Sequence, residues 1–558
     1  MRNRLILLVF FCLFLNQAFA QEKVLSDTFT IVKAYRPSII EAKKIDFQPE
    51  IVDTIKLDTE LKYSFINKQV PTSFQIEPIA AATIKGEPLV KLHQGYARLG
   101  IGNALLPFGE IYYTNLRSKD YAWGVHAKYF NMREVNDIEG SGRSRANFEV
   151  FGKRFWKTNT FESKISYSID QLNYYGYYDL PSLFPTSTEL PSDQLEQKYS
   201  RFKADFRLQS TKRDSFNLRH DVNMHYGMLT NNSGGTEHHI RTAANFSQFK
   251  DKELYELDVL VDHNQYDFDN ENTIIAATPQ ISTIGKRFKV KVGLGLYLNA
   301  GEETDFHFYP LAELKYNVIK DVLVPYAGLK GEIRRVNYHS ITKENPFVAE
   351  QIQLANSNEK YNLYAGVRGT LSSKISFNLS GSILKTDAAY LYIQTPDTNR
   401  LLSKDFFLTY DELDEVRLKG ELIYRHNEQF KIMGQAEYFN YETNQEAEAW
   451  HRPDLKVNVS GEYNLKNKII VRADLFYWGE QKARGLDISS ISLPINTPEF
   501  TVNTLDAIFD ANIGFEYRYT KRLSAFIQFN NIGGINYEKY QNYPLQGFNI
   551  WGGLTYGF

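Results

Sequence analysis

Several short groups in this 558-residue chain carry residue types that could do chemistry. Glu237, His238 and His239 are consecutive, and His220 and His225 lie upstream. Imidazoles and a carboxylate suit a zinc site or acid–base work, but only if their side chains converge. On a strand, neighbours point to opposite faces, and so do positions five apart, so neither histidine pair chelates one ion. The stretch DFDNEN at 267–272 offers calcium-type oxygens, yet lacks the loop spacing and closing glutamate of an EF-hand; it reads as an exposed acidic loop. GLGLYLNAG at 293–301 has glycines inside an alternating strand with no helix after it, so it is no nucleotide cradle. No serine, histidine and acid grouping stands out. The chain reads as a non-enzyme, and nothing in it calls for a cofactor or a metal.

The aromatic groups are more informative. Tyr174, Tyr175, Tyr177 and Tyr178 crowd the top of one long loop, where they could stack on a small solute or a glycan. Tyr112, Tyr113, Trp450, Tyr477 and Trp478 fall near expected strand ends, the level at which amphipathic rings girdle a membrane barrel. Lys289, Lys291, Arg472 and Asp474 fall on the polar faces of otherwise apolar strands. In a barrel they would line a polar, charge-balanced lumen and could steer solutes.

The elements that position these residues are strands. In RFKVKVGLGLYLN, Phe288, Val290, Val292, Leu294, Leu296 and Leu298 share one face. KISFNLSGSIL and NKIIVRADLFYW alternate in the same way. Short connections, such as KTN, KDKE, SSK, LKNK and TKR, take turns with longer ones. The longer ones include 131–144, 174–197, 230–237, Tyr338–Glu359, Tyr392–Asp414, 441–453 and Gln481–Thr504. This rhythm is that of an up-and-down outer-membrane barrel, with short periplasmic turns and long outer loops. From residue 92 to 558 the spacing predicts an all-β transmembrane antiparallel barrel of about 22 strands. The chain ends LQGFNIWGGLTYGF, alternating to Phe558. Tyr556 and Phe558 are therefore expected to pair with the first strand and close the barrel.

Residues 1–20 read as a signal peptide: Arg2 and Arg4, an apolar run from Leu5 to Leu15, and Ala18-Phe19-Ala20 before Gln21. The single cysteine, Cys12, lies inside that run, so disulfides are not expected in the mature chain. Residues 21–91 show scattered proline and mixed charge without alternation, which suits a periplasmic segment, flexible or partly within the lumen. A net charge of -2 gives no bulk attraction for nucleic acid; the expected surroundings are outer-membrane lipid.

The closing stretch FIQFNNIGGINYEKYQNYPLQGFNIWGGLTYGF resembles the C-terminal strand pair of TonB-dependent outer-membrane receptors. Asp27, Thr28, Phe29, Thr30, Ile31 and Val32 are loosely similar to the TonB-contact box of that family. The resemblance implies a barrel that takes up a nutrient with TonB as partner. Such receptors carry a globular plug before the barrel. Here residues 21–91 stand in its place without a plug-like V-E-V-L-R-G element, so the expectation is a plugless, receptor-like barrel. Two roles follow: passage or binding of a solute at the cell surface, or a barrel subunit that scaffolds outer-membrane lipoproteins or other barrels.

Overall fold

The computed structural model describes residues 93–558, apart from 117, 136–137, 139, 177–194, 212–217, 268–269, 302, 320–321, 395–404 and 487–499. The expected signal peptide, the segment 21–91, the box at 27–32, Tyr177 and Tyr178 lie outside the described residues.

Alternation decides the architecture. Twenty-two strands form one antiparallel sheet, each paired with the next along the chain. The first strand, Gly95–Gly102, pairs with the last, Asn549–Gly557, from Tyr96 opposite Gly557 to Gly102 opposite Trp551. The terminal residue continues the ladder: the Phe558 amide donates to the Gly95 carbonyl at 2.9 Å, and the Gln94 amide to the Phe558 carbonyl at 2.8 Å. The sheet is thus a closed barrel with no free edge. Apolar side chains cover its outside; Leu99 is 66% exposed, Phe308 67% and Leu554 56%. Water would disfavour such a belt, and hydrocarbon accepts it.

The seam is held on the luminal side as well. Arg98 is buried with its guanidinium 3.9 Å from the Phe526 ring centre and 4.9 Å from that of Trp551. Desolvated cation–aromatic stacking of this kind contributes about 2 kcal/mol. On the outer face, Tyr113 packs against Trp123 and Phe558, so a true aromatic girdle sits at the short-turn end.

Turns at one end are short, such as 251–252, 373–374 and 428–429. At the other end several connections carry structure of their own. In the expected loop Tyr392–Asp414, residues 392–394 and 406–414 are strand. Ile375–Gln394 and Phe406–Asn427 run 20 and 22 residues, about twice what a bilayer crossing needs. Their paired backbone extends from Ile375 opposite Tyr424 to Gln394 opposite Phe406, so this hairpin stands beyond the membrane. The expected loop Gln481–Thr504 contains a second hairpin, Gln481–Leu486 with Phe500–Leu505.

Closure also tests a single glycine. A Cβ on Gly553 would run into the Leu99 carbonyl oxygen and the Gly100 Cα on the first strand. Gly553→Val should therefore lower the yield of heat-modifiable barrel, read as a mobility shift in electrophoresis, by roughly tenfold, the effect of about 1.4 kcal/mol. Gly434→Val, at a position where a Cβ meets nothing within 4 Å, should leave it unchanged.

Candidate functional site

The connection 335–356, between strands Leu323–Arg334 and Ser357–Ser372, does not stand out into solvent. Tyr338, Ile341 and Val348 are fully buried, and Phe347 is nearly so. They form one apolar cluster with Leu172, Tyr199, Leu229 and Tyr266 from the lumen-facing rows of neighbouring strands, and with Tyr392, Phe406, Tyr540 and Tyr543. The partners come from distant parts of the wall, so the segment is a lid across the long-loop mouth. Burying each large side chain contributes about 2 kcal/mol.

A short helix, α1 (Tyr338–Glu344), starts the lid. Asn337 caps it: its side chain accepts from the Ser340 amide, and Ser340 returns a bond to the Asn337 amide. The barrel wall supplies a second cap. Glu237 accepts from the Tyr338 and His339 amides, each at 2.7 Å, and from Asn264 at 3.1 Å. A carboxylate on the first N–H groups of a helix satisfies donors that have no partner within it. One residue pair upstream, Arg335 donates to Asp262 at 2.7 Å and to Asn272 at 2.6 Å. Asp262 also holds His239 at 3.1 Å and Arg241 at 3.6 Å.

Backbone carbonyls of the lid are buried too, and tyrosine hydroxyls meet them. Tyr174 donates to Val348 at 2.7 Å, Tyr199 to Pro346 at 2.9 Å, Tyr266 to Glu350 at 2.6 Å and Tyr540 to Glu344 at 2.8 Å. On the side of the tall hairpin the lid pairs as a strand: Ala349 donates to the Phe406 carbonyl and the Phe406 amide to Phe347. A second connection, 444–454, is drawn in by Asp411, which accepts from the amides of Asn444, Gln445 and Glu446 at 2.8–3.0 Å.

The residues singled out in the sequence fall as follows. Tyr174 and Tyr175 are buried within the lid cluster rather than presented to solvent, and Tyr175 donates to the Pro544 carbonyl. Of the five expected girdle residues, Tyr113 packs with the outer aromatic group described above, and Tyr477 shares the outward face of Leu475. Tyr112 stacks on Tyr96 and sits beside His126, because adjacent strand positions face opposite ways. Trp478 lies near Lys456 and Lys539, and Trp450 is buried in 444–454, donating to Glu446. Lys291 pairs with Glu256 at 3.2 Å, Arg472 with Glu462 at 3.0 Å and Glu516 at 3.4 Å, and Asp474 accepts from Ser460 at 2.6 Å. Lys289 shares the strand face of Lys291. His238 and His239 part as alternation demands: His238 meets Tyr226, and His239 meets Asp262. No group of three or more metal-type ligands converges among the described residues.

The sequence marks Tyr338–Glu359 as a long connection able to enter the lumen, but not what it meets there, because its partners are remote in sequence. One local signal was present: Asn337 with Ser340 three residues on marks a helix start inside a long connection.

No protein-family model matches the sequence, and no curated protein is similar to it. Solved structures are similar in fold. The siderophore receptor PirA from Acinetobacter baumannii superposes with a TM-score of 0.63 at 12% identity, over 84% of this chain and 81% of that one. The pyoverdine outer membrane receptor FpvA from Pseudomonas aeruginosa PAO1, bound to pyoverdine, gives 0.61 at 9%, over 84% and 78%. The ferric-catecholate import receptor Fiu from K12 E. coli gives 0.58 at 9%, over 84% and 82%. The chain is an outer-membrane β-barrel of TonB-dependent-receptor-like fold.

Two measurements probe the lid. Glu237→Gln replaces an acceptor pair with one acceptor and one donor facing an N–H, and charge-assisted bonds of this kind are worth about 1.5–3 kcal/mol each. Protease cleavage within 335–356 should accelerate by at least about tenfold, with the barrel intact. pH should act in the same place. Burial, reinforced by Lys203, Arg201, Lys343 and His225, holds the His339 imidazole down at about 2. Burial holds His451 at about 3, with Lys539 alongside. Both histidines bind a proton more readily unfolded, at an ordinary pKa of 6.5, so cap stability falls as pH drops below about 6.5 and continues falling toward 3. Amide protection factors in 335–356 and 444–454, corrected for the intrinsic slowing of exchange in acid, should be lower at about pH 5 than at neutral pH, while those of the barrel strands change less.

Proposed function

We propose that this protein binds a solute at the cell surface and admits it through a lumen gated by the 335–356 lid. The observation that carries this reading is the latch. Glu237 and the Arg335–Asp262 pair are polar contacts between lid and wall, and polar contacts can be exchanged for other polar partners as a segment moves. The luminal rows beneath are polar and internally paired, as at Lys291–Glu256 and Arg472–Glu516, a lining suited to a hydrophilic solute. The similar solved structures are receptors for siderophores, pyoverdine or ferric catecholates by their descriptions, which supports uptake as the class of role. In this reading Asp27–Val32 contacts TonB and 21–91 lies on the periplasmic side.

A second reading has its own support. The apolar cluster under the lid is large for a gate, and it suits a permanently capped barrel that scaffolds lipoproteins or other barrels through its tall hairpin. Planar-bilayer conductance of the refolded mature chain separates the two. Wild-type protein should show small or rare openings, and the pair Glu237→Gln with Arg335→Ala should raise open probability by about tenfold or more, as expected if the latch supplies at least 1.4 kcal/mol of closure. Silence from both, with a folded barrel, would favour the scaffold. Removal of 21–91 in the same assay tests whether that segment also obstructs the lumen, and a pull-down with the TonB C-terminal domain that recovers nothing would remove 27–32 as a contact.

A further inference from the structure

Directly below the latch the luminal wall is recessed. Ala243 and Ala276 are short where their neighbours carry Leu260 and Tyr297, and the recess they leave measures about 330 Å³, at the small end of small-molecule sites. Its polar lining comes from five strands: Asn223, Arg241, Asn245, Asp258, Thr278 and the Tyr297 side chain, with Asp221 at its edge. The Tyr297 ring is braced edge-on by Tyr309 at 5.3 Å.

The charges in this recess cancel. Asp221 is held by Arg207 through two bonds of 2.8 and 2.5 Å. Asp258 accepts from Asn245 at 2.7 Å and from Gln280. Arg241 brings one positive charge, and it is tied to the lid through Asp262, which it shares with Arg335. With Asp221 neutralised by Arg207 from outside the lining, Asp258 and Arg241 leave no excess charge for an ion, whereas planar amide, carboxylate and guanidinium groups beside a hydroxyl and an aromatic wall offer alternating donors and acceptors. That composition matches a ligand with many hydroxyls and no charge.

We propose that this recess is a saccharide site: it takes a neutral polyhydroxylated solute of one or two rings beneath the lid. The inference rests on the reading of the barrel as a solute receptor and names the class of solute. It also supplies a route from occupancy to opening. A hydroxyl that accepts from Arg241 draws the guanidinium off Asp262, and Asp262 is the carboxylate to which Arg335 of the lid is fastened. A ligand shifts such an equilibrium only by its differential affinity for the two states, and the shared carboxylate is where that difference arises.

The test is calorimetric binding to the full mature chain in detergent, with maltose, cellobiose and sucrose as neutral probes and glucuronate and glucose 6-phosphate as charged counterparts. At least one neutral sugar should bind more tightly than either charged compound. Asn245→Leu and Thr278→Val, on separate strands, should each weaken that binding about tenfold, a loss of about 1.4 kcal/mol. Lys153→Gln, on a strand outside the recess, should leave it unchanged. Circular dichroism and heat-modifiable mobility establish that each variant is folded, and either folded variant suffices. The proposal is overturned if no neutral sugar binds, if the charged compounds bind more tightly, or if the folded variants bind as wild type does. Liposome swelling with the same sugars separates the site from the uptake reading. Binding without entry keeps the site and sinks passage; entry without binding does the reverse.

Discussion

Where water is absent, every backbone N–H and C=O must find a partner within the protein. That constraint acts on this chain twice. In the wall it forces closure: the ladder between Gly95–Gly102 and Asn549–Gly557 has to continue to Phe558, since a broken seam would leave a row of groups facing hydrocarbon. In the mouth it decides which irregular segment can fold inward. The 335–356 lid is irregular apart from α1, and it is tolerated because the wall carries donors and acceptors at the right heights. Glu237 takes two amides, and tyrosines from four separate parts of the chain cap four carbonyls.

The same logic explains a feature of the composition. The chain holds 37 tyrosines, and a membrane girdle accounts for only some of them. Tyr199, Tyr266 and Tyr540 combine a ring that fills the cluster with a hydroxyl that reaches the lid backbone. Phenylalanine would fill the space and strand the carbonyl, at a cost of about 1–3 kcal/mol for each group left unsatisfied. Aromatic content and polar satisfaction are here one device.

Much of the barrel was legible in the sequence, because a strand declares itself within a dozen residues. Phe288 to Leu298 alternate, SSK and LKNK punctuate, and the last strand runs to the final residue. The exceptions are instructive. Tyr392–Asp414 read as a long connection, yet its described residues pair with each other, from Tyr392 opposite Leu408 to Gln394 opposite Phe406, so the hairpin reaches well past the expected strand ends. Tyr174 and Tyr175 read as solvent-facing because nothing near them in sequence shows that Val348 and Pro544 are their partners. Girdle positions such as Tyr112 and Trp478 were misplaced by one step of alternation, which on a strand is the whole difference between lipid and lumen.

The composition of the lid cluster also fixes an order of events. Tyr540 and Tyr543 belong to it, and they lie in the last connection before the final strand. The Tyr540 hydroxyl that holds Glu344 reaches the lid from 196 positions further along the chain. The mouth can therefore be sealed completely only after almost the whole polypeptide has been inserted. A nascent barrel stays unsealed on its outer side while strands are still being added, and the seated lid marks a chain whose last hairpin is in place.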